Sequence, residues 1–338
     1  MRPSEDEIIA RYLTPLAGQG SLGLRDDAAL LAVPPGSQLI ATKDVLVAGV
    51  HFLADDPPEA IAAKALRVNL SDLAAKAAEP LGILLGLALP DDWTEPWLAA
   101  FSSGLQADLA YFSCSLLGGD TTATPGPLTI SITALGLVET GGFVPRSGAR
   151  AGDLLFVSGT IGDGALGLKA RLNAAEDRAW LGQLDSASTA ALIARYQRPE
   201  PRLALRRALR SCARAAMDVS DGFVGDLQKM LRLEGLSAQI EAVDVPLSPA
   251  VRAAVAREPR LLTAALTGGD DYEIICAIAP GEIAAFQEAA ATAGVSVTQI
   301  GIATASDARI SVRDASGAPL NIARAGFQHF GTRMPSST

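Results

Sequence analysis

Thiol and imidazole are scarce in this chain: Cys114, Cys212 and Cys276 lie far apart, and the histidines are His51 and His329. An odd, scattered set of cysteines excludes a disulfide framework, and without clustered thiols or imidazoles neither zinc nor copper is indicated. The three are expected to be inert thiols. Long apolar runs are missing as well. The longest, Leu81 to Leu89, falls far short of the about 20 residues of a membrane-spanning helix. No basic stripe is present, and with a formal charge of -9 the broad positive face that grips nucleic acid is excluded. The opening Met1-Arg2-Pro3-Ser4-Glu5-Asp6-Glu7 is acidic where a secretory leader is basic, so a cytoplasmic protein is expected. Absent too are the G-x-x-x-x-G-K-[ST] loop and the protein-kinase motifs, the two commonest ways of holding ATP.

What is present is enough apolar material for large cores. With 49% hydrophobic and 19% charged residues the chain is not disordered, and 338 residues favour two domains. The pattern predicts a strand over 38–41, a helix over 58–78, a strand over 81–89, a helix over 95–111 and a strand over 128–138. Turn formers crowd residues 141–152, and the expected division is into domains 1–145 and 146–338. The fold class is α/β (α+β). In the second half a strand over 153–158 runs through Gly159-Thr160-Ile161-Gly162-Asp163-Gly164 into a helix, a layout that either cradles a phosphate or simply turns the chain. An arginine-rich helix is predicted over 201–214, a helix capped by Ser220 running to about Leu233, and a strand over 274–278. Pro335 to Thr338 reads as a frayed tail.

Several aspartates keep unusual company. Asp26-Asp27 precedes Ala28-Ala29-Leu30-Leu31, Asp44 stands between Leu39-Ile40 and Val45-Leu46-Val47, and Asp72 lies inside the apolar Asn69-Leu70-Ser71-Asp72-Leu73-Ala74-Ala75. Asp120 follows Gly118-Gly119, which let the backbone approach something closely. Asp218 and Asp221, in Asp218-Val219-Ser220-Asp221-Gly222, stand where a helix N-terminus favours phosphate. Carboxylates beside buried segments need a partner. Oxygen-only ligands suit a hard cation, and magnesium in phosphate chemistry takes a few carboxylates, waters and phosphate oxygens.

Together with Thr42-Lys43-Asp44, Gly49-Val50-His51-Phe52, Arg146-Ser147-Gly148-Ala149, Gly268-Gly269-Asp270-Asp271-Tyr272-Glu273 and Gly326-Phe327-Gln328-His329-Phe330, these segments resemble, in this order and over nearly the whole chain, the thiamine-monophosphate kinases. That family shares a superfamily with aminoimidazole ribonucleotide synthetase and selenophosphate synthetase. The resemblance implies ATP-dependent phosphorylation of thiamine monophosphate by direct in-line transfer with several magnesium ions. It implies metal ligation by Asp27, Asp44, Asp72, Asp120, Asp218 and Asp221 with Thr42 assisting, and ATP contacts from Gly119, Asp120, Arg146 and Ser220. Substrate contacts fall on His51, Asp270 and Phe327, and the family fold implies a homodimer joined through the N-terminal strands.

The sequence departs from the family pattern where Arg25 replaces a glycine, Lys43 a threonine and Asp270 a glutamate. Lys43 is either a solvated residue on the far side of its strand or an ammonium standing in for a metal near the phosphates. Selenophosphate synthetases usually carry a reactive cysteine near the N-terminus, and no cysteine precedes Cys114 here. A nonenzymatic nucleotide-binding regulator would have lost aspartates that this chain keeps.

Overall fold

The polypeptide, seen in a computed structural model, is described over residues 3–305 and 310–327. Gln328, His329, Phe330 and the tail from Pro335 lie outside the described residues.

Alternation of apolar and polar residues produces the first sheet. Strands β1 (Ser37–Val47), β2 (Glu79–Pro90), β3 (Leu116–Thr124) and β4 (Thr129–Glu139) lie in the order β1-β4-β2-β3. The β1/β4 and β4/β2 pairs are antiparallel, and β2/β3 is parallel. Side chains of Ile83, Leu85, Leu87, Ile130, Ile132 and Ala134 are buried on one face. Against that face packs α1 (Pro58–Ala75), which starts on a proline whose missing N–H costs nothing at a helix N-terminus. Helix α2 (Glu95–Tyr111) packs beside it, with a Thr94 side-chain cap.

From Ala60 to Ala75 every residue of α1 except Arg67 and Asp72 is buried. A helix buried all round is a core helix rather than an amphipathic one. It is enclosed by the first sheet on one side and by the second half of the chain on the other. Arg67 locks the arrangement: its guanidinium makes a two-point contact with Asp108 of α2 at 2.6 and 2.9 Å and also donates to the Pro199 carbonyl at 3.1 Å.

The second sheet is built from β5 (Leu154–Ser158), β6 (Ala213–Asp218), β7 (Ile274–Ile278) and β8 (Val297–Ile302), in the order β8-β5-β7-β6 with antiparallel neighbours throughout. The two-domain α/β class is as expected, and its sheets are mostly antiparallel. Helices α5 (Arg206–Cys212) and α6 (Phe223–Arg232) cover it, with Ile283–Thr292 packed on the side of Phe156, while α3 (Asp163–Leu172) and α4 (Ser186–Gln197) pack against each other in a separate cluster. The arginine-rich helix expected over 201–214 is shorter. It begins in earnest at Arg206 and gives way at Ala213 to β6, whose run Ala215-Ala216-Met217 is buried. Alanine favours helix intrinsically, and pairing with β7 overrides that weak preference.

All three cysteines are buried and free. Burial pushes the Cys114 thiol up to about 12, so the expectation of inertness holds there. No helix among the described residues is long and apolar enough to cross a membrane.

The α1/α2 contact depends on Gly104, where an added Cβ would stand 2.5 Å from the Glu59 Cα. Gly104→Ala is expected to lower unfolding free energy by about 1–3 kcal/mol in urea titrations. Gly281→Ala, which meets nothing within 4 Å, should stay within about 0.5 kcal/mol of the parent. Equal stability of the two variants would show that α1 has room to shift.

Candidate active site

A cleft of about 730 Å3 opens where β1 and α1 face the second domain. Its walls come from β1 and the turn after it, the second turn of α1, the loop 220–221, the loop 267–272 and the segment 324–327.

One end is acidic. Strand alternation turns Thr42, Asp44 and Leu46 to the α1 side of β1. There the Asp44 N–H donates to Asn69 Oδ1 at 3.1 Å, and the Thr42 hydroxyl donates to Asp72 Oδ2 at 2.5 Å. Asn69 and Asp72, three residues apart, share one face of α1. Between them Ser71 points to the second domain and donates to Asp218 Oδ2 at 2.9 Å. Asp218 is the last residue of β6, so the helix and both sheets deliver carboxylates to one place. Burial, reinforced by Asp72 and Asp221, raises Asp44 to about 6. Burial, then the charges of Asp72 and Asp226, hold Asp218 well above the carboxylate range despite the Ser71 hydrogen bond.

Basic groups nearby are turned to other work. The Lys76 ammonium donates to the Ala216 carbonyl at 2.6 Å, and burial lowers it to about 8. Lys229 contacts Asp221 at 2.5 Å and Asp226 at 2.8 Å. Among the described residues no three His, Cys, Asp or Glu side chains converge tightly enough to enclose an ion. The wall is open: its donors are all oxygen, and crowded carboxylates with raised proton affinity call for a cation. Magnesium fits such a wall, because it keeps waters and phosphate oxygens in its shell instead of demanding a protein cage.

Two loops that looked suited to phosphate are already filled. The N–H groups of Ser220, Asp221 and Gly222 all donate to Asp226 Oδ2, at 3.0, 2.9 and 3.1 Å. Asp226 thus caps α6 from within, and Ser220 does not cap it: the residue before the helix is Gly222, with φ +132°. In the glycine loop after β5, Gly162 and Gly164 donate at 2.7 and 2.9 Å to the two oxygens of Asp271, which is fully buried. That loop is a structural clamp.

At the other end His51, Asp270 and Phe327 line the cleft. His51 Nδ1 accepts the Val47 N–H at 3.0 Å, which places the proton of the neutral ring on Nε2. Phe327 is 47% exposed, and its N–H donates to the Asp221 carbonyl at 2.8 Å. Ser220 lies on the same wall.

The remaining expected residues lie elsewhere in the chain. Asp27 sits in an exposed loop, its N–H held by Asp26. Gly119 makes room for its own sheet, since a Cβ there would meet the Leu85 carbonyl oxygen at 1.9 Å. Asp120 pairs with Gly86, Gly86 with Ser131 and Ser131 with Val45, which puts Asp120 on the sheet face opposite Thr42 and Asp44. Arg146 is exposed on the connection between domains, near enough to Lys76 to depress its proton affinity. Lys43 also faces away from Asp44, with its ammonium on Ser131 Oγ at 2.5 Å, as alternation along β1 requires. Sequence reasoning overlooked Asn69, Lys64, Asp226 and Asp271 as supports; the signal available was a polar residue inside an otherwise buried apolar run.

The sequence and the two-domain α/β fold match known proteins. Family models described as AIR synthase related protein, N-terminal domain and C-terminal domain, match residues 25–138 and 150–313. The chain belongs to this AIR synthase-related family. Within it the chain belongs with the thiamine-monophosphate kinases. It is 46% identical over 304 residues to the thiamine-monophosphate kinase of Caulobacter vibrioides, covering 88% of this chain and 84% of that one. The crystal structure of thiamine-monophosphate kinase from Stenotrophomonas maltophilia superposes with a TM-score of 0.78 at 36% identity, covering 93% and 96% of the two chains. AaThiL complexed with AMPPCP and TMP superposes with a TM-score of 0.74 at 30% identity, covering 90% and 91%.

Asp44 gives the site a pH signature. Its folded-state value of about 6 exceeds the ordinary 3.8, so the folded chain holds that proton more tightly than the unfolded one. The stability this confers is complete below about pH 4 and is lost as pH rises through about 6. In chelator, Asp44→Asn should therefore gain up to about 3 kcal/mol over the parent at pH 7.5 and nothing at pH 4, read from urea unfolding at each pH. A difference independent of pH would show that Asp44 is not crowded.

Proposed function

We propose that the protein transfers the terminal phosphoryl group of ATP to thiamine monophosphate, giving thiamine diphosphate and ADP. The observation that carries this reading is the cleft lined by Asp44, Asp221, His51, Asp270 and Phe327, with Asp72 and the buried Asp218 crowded close to Asp44. It is supported by the relatives' names and by the complex of AaThiL with AMPPCP and TMP.

Asp44, Asp72, Asp218 and Asp221, with the Thr42 hydroxyl, would hold several magnesium ions. When bound, magnesium neutralises phosphate oxygens on both substrates and so lowers the repulsion between two polyanions. Thr42 and Ser71 orient the carboxylates they hydrogen-bond, and Asn69 fixes the β1 backbone beneath Asp44. An acceptor phosphate is already ionised at neutral pH, so no side chain needs to remove a proton, and the chain's task is alignment and charge placement. Phe327 offers its ring to a flat heterocycle. His51 presents a polar edge, and Asp270 an acceptor for N–H groups.

The site extends beyond one chain in this reading. The face of the first sheet away from α1 leaves Leu39, Val45 and Leu84 at 42%, 46% and 38% exposure, and Asp120 shares that face. A second copy packed there covers the apolar strip and brings Asp120 and Gly119 to a shared boundary, so we infer a homodimer. Residues 1–145 form the ATP- and metal-binding dimerising part and 146–338 complete the cleft. Asp27 and Arg146 are assigned to the metal and to ATP on the strength of the family likeness. The protein is assigned to the cytoplasm, with neither nucleic acid nor membrane as partner.

With ATP and magnesium, purified protein should convert thiamine monophosphate to thiamine diphosphate and leave free thiamine essentially unchanged, because a hydroxyl lacks the charge and reach of the acceptor phosphate. Asp72→Asn and Asp218→Asn should each lower kcat by roughly 10²-fold or more with the fold intact by circular dichroism. Equal phosphorylation of thiamine would refute the acceptor, and full activity in both variants would refute the acidic wall as the catalytic centre.

A further inference from the structure

Lys64 is the most deeply buried cation among the described residues, with 2% exposure, and it lies on α1 facing the second domain. Its ammonium stands 3.1 Å from Asp270 Oδ1 and 3.6 Å from the centroid of the Tyr196 ring. The contact with Asp270 is an ion pair without hydrogen-bond alignment, and no other acceptor among the described residues reaches the Lys64 Nζ. A buried ammonium with one carboxylate and one π face is a poor way to stabilise a core, since an apolar side chain of similar volume would pack there at no desolvation cost. Burial accordingly pushes Lys64 below the usual lysine range.

Asp270 is held from every other side. Its φ of +72° and that of Tyr272, +52°, lie in the left-handed region that side-chain-bearing residues avoid. The loop keeps this shape because the N–H groups of Asp270 and Tyr272 donate to the Ser220 and Val219 carbonyls at 3.0 and 2.8 Å, and because Asp271 is clamped by Gly162 and Gly164. Glu273, fully buried, anchors the far end through Arg195 and Arg202. The backbone thus aims one carboxylate into the cleft, and Lys64 is its counter-ion from the other domain.

Resting on the reading that thiamine monophosphate is the acceptor, we propose that Lys64 is a positioning residue for substrate recognition. It binds one oxygen of Asp270 and turns the other oxygen to the cleft as the acceptor for the exocyclic amino group of the heterocycle. Lys64 borders the cleft from behind Asp270, with 2% exposure. Without it Asp270 is free to turn, and a rotated carboxylate no longer distinguishes an amino group from a carbonyl at the same ring position.

The test is steady-state kinetics with thiamine monophosphate and with its analogue carrying a carbonyl in place of the amino group. The parent enzyme should favour the amino compound by roughly ten- to a hundredfold in kcat/KM, the range of a hydrogen bond to a buried charge. Lys64→Met should raise KM for thiamine monophosphate roughly tenfold, change kcat much less, leave KM for ATP within about twofold, and bring the two compounds within about threefold of each other. Asp270→Asn should show the same loss of preference, and it tests the idea through a different side chain should Lys64→Met fail to fold. Equal kcat/KM for the two compounds in the parent enzyme overturns the proposal, as does a Lys64→Met enzyme that keeps the full preference. Failure of the parent to phosphorylate thiamine monophosphate at all would instead remove the functional reading on which the proposal rests.

Discussion

Crowding of like charge around Asp218 is the constraint from which the rest of the site follows. A carboxylate buried at the end of β6, with Asp72 and Asp44 beside it, pays for ionisation in desolvation and in repulsion together. The fold nevertheless forces the group together. Helix α1 is buried on all sides, so it has one position available, and that position sets Asp72 against Thr42 and Ser71 against Asp218. Removing any one carboxylate would relieve the chain; keeping all of them makes a surface where a cation is the missing partner.

Around this strained patch the chain uses carboxylates in a second, opposite way. Asp226 and Asp271 accept backbone N–H groups from the two loops flanking the cleft, and Glu273 is bracketed by two arginines. These acids are satisfied, and they freeze the loops that carry Ser220, Asp221 and Asp270. The contrast separates scaffold from site: Asp226, Asp271 and Glu273 are met by backbone N–H groups or guanidinium groups and hold the loops still, whereas among the described residues Asp72 and Asp218 accept only from the hydroxyls of Thr42 and Ser71 and crowd against Asp44. Preorganisation of this kind suits a reaction in which alignment and electrostatics supply the rate.

Much of this was legible in the sequence, and the reasons differ by element. Helix α1 announced itself through a proline start and an apolar run, and Asp72 stood out because nothing inside such a run should be charged. Asp44 was marked by the apolar residues on either side of it, and Lys43 was left between two readings that the alternation of β1, longer than the strand expected over 38–41, decides. Alternation does not say which face a helix will cover, and so Asp120, equally conspicuous on its glycines, belongs to the opposite face from Asp44. Strand β6 was hidden because its alanines suit a helix until β7 pairs with them. Gly162 and Gly164 looked like a phosphate cradle because a sequence does not reveal that Asp271, more than 100 residues away, already fills the loop. Lys64 gave no signal, because a sequence does not show that Asp270 of the other domain lies against it.

The central claim is that these crowded carboxylates hold protons until a metal replaces them. Calorimetric titration of the protein with magnesium in the presence of a nonhydrolysable ATP analogue, at pH 6 in buffers of different ionisation heat, counts the protons released on binding. With Asp44 at about 6 and Asp218 raised by burial and like charge, net proton release is expected, and it should fall in Asp218→Asn. Binding heats independent of the buffer, with no proton released, would contradict the account.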